Sequence, residues 1–163
     1  MLFLVLQVGD DRYALDVRQI AEVLPLVAVS AIPRAPDGIA GVFEYRGAPV
    51  PAVDLSQLIY GRPVTRRLST RIVVVHHPAE TSGTRLLGLV AEKATEVMRR
   101  DAADFVDAGL TGDRASYLGP VLTDPRGLVH RLDLSKLLAK PRHHTVSGPL
   151  VEDECRWTTS KAS

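Results

Sequence analysis

The chain is poor in most of what redox, metal and stacking chemistry require. Cys155 is the one cysteine in 163 residues, which excludes a disulfide framework and a zinc site built from paired cysteines. Aromatic residues make up 5% of the chain, too few for the stacking platforms of single-strand nucleic-acid binders. No apolar run reaches the length of a membrane-spanning helix. The opening segment, MLFLVLQVGDDRY, has no basic stretch and no small-residue cleavage site ahead of Asp10 and Asp11, so it does not read as a signal peptide. Charge of one sign is also missing: 20 Lys and Arg face 19 Asp and Glu, a net +1. That balance speaks against a nucleic-acid or membrane footprint. Nucleophile-elbow, Walker and dinucleotide-binding motifs are absent from the sequence. The histidines His76-His77, His130 and His143-His144 offer no chelating geometry, because neighbours in a strand point to opposite faces. The expectation is a cytoplasmic globular protein with no catalytic residue, no metal and no cofactor.

What is present is a β-rich pattern of short apolar runs between turn signals. Leu2–Val8 and Arg12–Leu15 flank Gly9-Asp10-Asp11 as a hairpin. Asp16 is placed to cap a short helix carrying Val17, Ile20, Val23 and Leu24 on one face, stopped at Pro25. Ser30–Gly41 reads as a loop, and Val42–Arg46 with Pro49–Val53 as a second hairpin around Gly47-Ala48. Pro49 and Pro51 lack N–H donors on the same side, which suits an edge strand. Asp54 or Ser56 then starts a helical turn through Ile59. In the second half, Arg71–His77 and Leu86–Ala91 read as strands, while Glu92–Asp107 fits either helix or strand plus loop. Tyr117–Thr123 and Leu128–Asp133 flank the turn Asp124-Pro125-Arg126-Gly127, followed by a short helix at Leu134–Ala139. From Pro141 onward the chain is polar and unpatterned, as in a disordered tail.

The two halves echo each other. Asp54-Leu55-Ser56-Gln57-Leu58-Ile59 matches Asp133-Leu134-Ser135-Lys136-Leu137-Leu138, each after an Arg-Gly turn (Arg46-Gly47 and Arg126-Gly127). Leu15-x-Val17 and Glu22-Val23-Leu24 match Leu89-x-Ala91 and Glu96-Val97-Met98 in the same order. A tandem of two small β-rich units accounts for this. Among surface candidates, the hairpin GVFEYRGAPVPAV places Glu44, Tyr45 and Arg46 at a glycine turn, and Arg and Tyr are enriched in binding hot spots. A solvated hairpin face reads the same way. Glu22 lies opposite the apolar stripe of its segment, and His130-Arg131 interrupts an apolar strand, so that strand is partly exposed or paired.

The strings FLVLQVGDDRYALDV, IAEVL and IPRAPDGIAGVFEYRGAPVPAVDLSQL resemble the CheW-type coupling domain of bacterial chemotaxis, with LLGLVAEKATEVM, YLGPV and LDLSKLL extending the likeness over residues 2–140. The phrases GVFEYRG, LSTRIVVV, FVDAGL and YLGPV resemble the Wsp-type surface-sensing variants most. The resemblance implies a mainly β fold: two intertwined five-stranded SH3-like barrels in tandem with a shared core and a few short helices. The first barrel core is expected near 12–65 and the second near 66–130, with strands exchanged at the ends and 141–163 as the tail. It implies a non-catalytic adaptor, cytoplasmic and recruited to membrane receptor arrays, that joins a methyl-accepting chemotaxis receptor to the regulatory domain of a CheA-type histidine kinase. It implies neither nucleic-acid binding nor direct membrane contact. Receptor contact falls in the family in a groove between the barrels, at positions matching Ile20, Glu22 and Arg46 here, with Glu22–Arg46 as an ion pair. Glu44 replaces the family's usual Asn and adds a negative charge beside that site, a change that favours a dedicated receptor. Kinase contact is expected at apolar barrel ends that the residues do not place, and self-association through those ends is left open. The reading from another class is a small β-barrel that binds nucleic acid, against which the charge balance and scarce aromatics stand.

Overall fold

The computed structural model describes residues 1–78, 83–109 and 118–137. The expected tail lies outside the described residues, as do Tyr117, Leu138 and Ala139. The chain is mainly β, with ten strands among the described residues: β1 (Leu2–Val8), β2 (Asp11–Asp16), β3 (Ile20–Pro25), β4 (Ile39–Tyr45), β5 (Ala48–Asp54), β6 (Arg71–Pro78), β7 (Thr84–Ala91), β8 (Lys93–Arg99), β9 (Leu118–Asp124) and β10 (Gly127–Leu132). Among the same residues are two short α-helices, α1 (Leu55–Tyr60) and α2 (Leu134–Leu137).

The strands form two five-stranded sheets with one plan: β3-β6-β7-β5-β4 and β8-β1-β2-β10-β9. In each, an antiparallel hairpin (β6–β7 or β1–β2) sits at the centre and carries a parallel partner (β5 on β7, β10 on β2). The first sheet therefore draws on residues 20–91, and the second combines 2–16 with 93–132. The two halves of the chain exchange strands, and neither sheet is made from one half alone.

In each unit a residue downstream of one edge strand (β3 or β8) is tied to the other edge strand (β4 or β9) by one reciprocal pair of backbone hydrogen bonds. In the unit of residues 20–91, Ser30 and Val42 bond each other at 2.8 and 2.9 Å. In the other, Val106 and Val121 do so at 2.8 Å in both directions. Gly41, just before Val42, has φ +147°, and a Cβ there would lie 2.0 Å from the Ser30 carbonyl oxygen. Only glycine permits that approach.

The near-continuous apolar runs follow from burial on both faces. On β6, Val73 and Val75 enter a cluster shared with Leu4, Leu6 and Leu15 of the other sheet. Ile72 and Val74 point the opposite way, into a cluster with Phe43, Tyr45 and Val50. On β1, Leu4, Leu6 and Val8 face the shared core, while Phe3 packs with Ala14, Phe105, Leu122 and Val129. Each unit thus has its own interior, and a larger core binds the two together.

Three sequence expectations are corrected. The helix placed from Asp16 to Leu24 is a single 3-10 turn at Val17–Gln19, capped by Asp16, followed by strand β3. Its residues alternate in exposure rather than following a helical stripe: Ile20, Glu22 and Leu24 are half-buried, Ala21 and Val23 exposed. Pro49 and Pro51 are not in an edge strand, since β5 lies between β7 and β4. The ladder with β7 runs only from Ala52 to Asp54, so both prolines precede it, where β5 has β4 alone as partner. The loop read across Ser30–Gly41 gives way at Ile39 to β4. The ambiguous segment 92–107 resolves as β8 plus a short 3-10 turn at Ala102–Asp104. Strand β10, interrupted by His130-Arg131, is paired on both sides, by β2 and β9. Its Arg131 guanidinium lies 5.6 Å from the Phe3 ring centroid.

Candidate functional site

The β4–β5 hairpin turns through Arg46 (φ +49°) and Gly47 (φ +79°). Positive φ at both central residues is the type I′ geometry that matches the twist of antiparallel strands. Arg46 is therefore held at the tip in a conformation that β-branched residues would resist. Across from it runs β3, the edge strand on the far side of the sheet order. Ile20 pairs with Val75 and Glu22 with Val74, so one extra residue is inserted on β3 just before Glu22. A bulge of this kind re-aims the following side chain.

The two features meet. Glu22 Oε2 accepts a hydrogen bond from the Tyr45 hydroxyl at 2.7 Å and one from Arg46 Nη2 at 3.3 Å. The Arg46 guanidinium lies 5.2 Å from the Tyr45 ring centroid. The hydrogen bond to the Glu22 carboxylate, aided by burial, raises the Tyr45 hydroxyl above its ordinary pKa. The phenol therefore stays a donor at neutral pH. The Arg46 side chain is 77% exposed and that of Glu22 40%. An ion pair this open contributes little to folding, so both charges remain available to a partner.

Beside this clamp is an open depression of about 520 Å³, lined by apolar Ile20, Ala21, Ala48 and Leu86 and by Tyr45, Arg46 and His76. All of these belong to the unit of residues 20–91. Of the residues singled out from sequence, the structure gathers Ile20, Glu22 and Arg46. Glu44 is exposed but alternates with Phe43 and Tyr45, so it lies on the opposite face of β4, opposite Pro49 in the ladder. Among the described residues it makes no ion pair. Tyr45, read from sequence as part of the hairpin tip but not among the receptor-contact positions, joins them through its hydroxyl on Glu22.

A second clamp stands in the other unit. Glu96 on β8 follows a bulge, since Val5 pairs with Glu96 and Gln7 with Lys93. Its carboxylate is bonded by Arg126 Nη2, from the turn between β9 and β10. These are the residues that the internal repeat aligns with Glu22 and Arg46. The turn is built differently: Asp124 pairs with Gly127, leaving Pro125 and Arg126 as the loop, and Asp124 Oδ1 accepts the Arg126 N–H at 2.8 Å. Pro125 stands where the first hairpin has Tyr45, so this copy has no phenol donor.

The arrangement offers hydrogen bonds, charge and apolar contact, and no nucleophile or base poised on a reacting group. No group of three or more metal-ligating side chains is gathered among the described residues, and none of their helices is long and apolar enough to cross a membrane.

Comparison with known proteins agrees with this architecture. The profile of the CheW-like domain matches residues 2–142. The protein FrzA of Myxococcus xanthus is 29% identical over 148 residues, covering 89% of either chain. The chemotaxis protein CheW of Klebsiella aerogenes is 28% identical over 96 residues, 59% of this chain and 55% of its own. In three dimensions the chain resembles the scaffolding protein TtCheW of Thermoanaerobacter tengcongensis, with a TM-score of 0.73 at 21% identity over 83% of this chain and 86% of that one. With two five-stranded units, a shared core and a family match across nearly all of the patterned sequence, the chain belongs to the CheW-like family of non-catalytic chemotaxis scaffolds.

Proposed function

We propose that the protein couples a methyl-accepting chemotaxis receptor to a CheA-type histidine kinase, and that the receptor docks on the depression beside the Glu22–Arg46 clamp. The observation that carries this reading is the shared Glu22 carboxylate, which takes both the Tyr45 hydroxyl and Arg46 at the mouth of an apolar depression. Ile20 supplies apolar contact, Arg46 presents a cation fixed in place by Glu22, and Tyr45 locks the carboxylate. A receptor helix with an apolar face and an acidic or amide side chain suits such a surface, the helix-in-groove mode of recognition. Glu44, on the other face of the same strand, bears on the choice of receptor only through its charge at the rim of this contact, which favours amide or basic rather than further acidic groups there.

The protein acts in the cytoplasm at membrane receptor arrays, through its partners and with no lipid contact of its own. Its sequence phrases favour a Wsp-type surface-sensing pathway. The kinase binds a different surface from the receptor, so the two contacts are separable by mutation. The test is co-precipitation of a receptor cytoplasmic domain and the kinase with the parent and with Arg46→Glu. Loss of the receptor alone supports the assignment; loss of neither moves the receptor site, and capture of neither by the parent contradicts the coupling role.

A further inference from the structure

One concentration of charge lies outside the clamp and answers to nothing on the described surface. Residues 55–79 include no acidic side chain and four arginines, Arg62, Arg66, Arg67 and Arg71. None of the four forms an ion pair among the described residues. The Arg62 guanidinium lies 5.5 Å from the Tyr60 ring centroid, and Arg71 Nη1 donates to the carbonyls of Leu68 and Thr70. Arg66 and Arg67, both exposed, have no side-chain partner among the described residues. Beside them Leu68 is 100% exposed. The tip is nonetheless fixed from below, since Thr70 Oγ1 accepts the Arg67 N–H and donates to the Thr65 carbonyl, both at 2.9 Å. The result is a held turn that presents two free cations next to an uncovered leucine.

The sequence beyond the described residues carries the opposite character. Glu152-Asp153-Glu154 is the longest acidic run in the chain, no other acidic residue follows Asp133, and Trp157, the one tryptophan, comes shortly after the run. The run can reach the tip. Leu137, at the end of α2, sits in the shared core with Val73 and Val75 of β6, the strand that Arg71 begins. A strand of eight residues is about 25 Å long, whereas the chain from Leu137 to Glu152 spans up to about 50 Å. The other adjacent arginines, Arg99 and Arg100, are a poorer target. Asp101 and Asp104 follow them directly, and the Arg100 charge already acts on Asp124.

We propose that segment 152–157 docks on the tip of its own chain, with Glu152, Asp153 and Glu154 on Arg66 and Arg67 and Trp157 laid over Leu68. Arginine takes a carboxylate through paired N–H donors and also packs on an indole face, so both parts of the segment suit the tip. Covering Leu68 with the indole removes apolar surface from water. The contact is small and open to solvent, so salt weakens it. Tethering to the same chain supplies the effective concentration that keeps a weak contact populated. A docked segment covers the tip, and an acidic partner for the tip has to displace it. The proposal stands apart from the receptor site and does not depend on that assignment.

Because Trp157 is the one tryptophan, its fluorescence reports on the segment without any label. The test is acrylamide quenching of the full chain, with a synthetic peptide of residues 148–160 as the fully open reference. The parent is expected to quench several-fold less than the peptide, equally at every protein concentration, and to approach the peptide at high salt. Arg66→Glu/Arg67→Glu alters exposed side chains, circular dichroism checks its fold, and it should quench like the peptide. Glu152→Arg/Asp153→Arg/Glu154→Arg should do the same, and the two sets combined in one chain should restore the protection. A parent that quenches like the peptide overturns the proposal. So does a tip variant as protected as the parent, or a combined variant that regains nothing. Protection that fades on dilution would assign the segment to a second copy and overturn docking within one chain.

Discussion

The two units share a strand plan and differ in what fills and fastens it. The unit of residues 20–91 has an apolar interior of Phe43, Tyr45, Val50, Ala52, Ile72, Val74 and Val90, and its clamp includes a phenol. The other unit has a smaller interior of Phe3, Ala14, Phe105, Leu122 and Val129. It adds an internal ion pair, in which Arg12 grips the Asp124 carboxylate with both terminal nitrogens, their side chains 14% and 8% exposed. Thus both copies hold a turn arginine on an open carboxylate; the second also fastens its β9–β10 turn by a buried charge pair, while the first has a phenol and an apolar depression beside its clamp. Duplication lets one copy of the clamp serve binding while the other remains without that depression.

The largest effect expected from breaking this comparison is at the seam of the first unit. Gly41→Ala forces a Cβ onto the Ser30 carbonyl and should cost about 3 kcal/mol in urea denaturation. The second unit has Pro120 at the corresponding place before Val121, so its seam carries no such constraint. Next comes Asp124→Ala, which strands Arg12 and should cost about 2 kcal/mol. That pair also carries a pH signature. The Arg12 hydrogen bonds hold the Asp124 carboxyl below its ordinary range, so its contribution is complete above the unfolded-state value and is lost as pH falls through the lowered one. Asp124→Asn should therefore lose less stability on acidification than the parent, as followed by thermal melts.

Smaller changes separate binding from folding. Arg46→Glu should leave stability within about 0.5 kcal/mol, as for other exposed ion pairs, while abolishing receptor capture. Tyr45→Phe removes the hydroxyl that fixes Glu22 and should weaken receptor capture several-fold, seen by titration calorimetry, with kinase binding unchanged. Arg126→Glu, in the twin clamp, is expected to alter receptor capture least of all.

Much of this was legible in the sequence because turns and caps are local. Asp54 caps α1 by accepting the Gln57 N–H at 3.0 Å, the Arg-Gly turns lie where the glycines put them, and the double-faced apolar runs of β1 and β6 are buried as runs of that kind must be. The strand at Ile20–Pro25 was hidden because Ala21 and Val23, though apolar, face outward, which erases the alternation. Strand exchange came from the family resemblance alone: pairing of β10 with β2 spans more than a hundred residues, and no local pattern encodes it. The second clamp was written in the aligned repeat as Glu96 and Arg126, yet only the fold brings the two side chains together. Tyr45 was legible as part of the hairpin tip, and its hydroxyl bond to β3 depends on closure of the sheet.

Of the two clamps, the one at Glu22, Tyr45 and Arg46 is the one that takes the receptor. The most direct measurement compares Arg46→Glu with Arg126→Glu in co-precipitation with the receptor cytoplasmic domain, using kinase capture as the internal control. Arg46→Glu is expected to lose the receptor and keep the kinase, and Arg126→Glu to keep both. Equal loss of the receptor in the two variants, or loss only with Arg126→Glu, would contradict it.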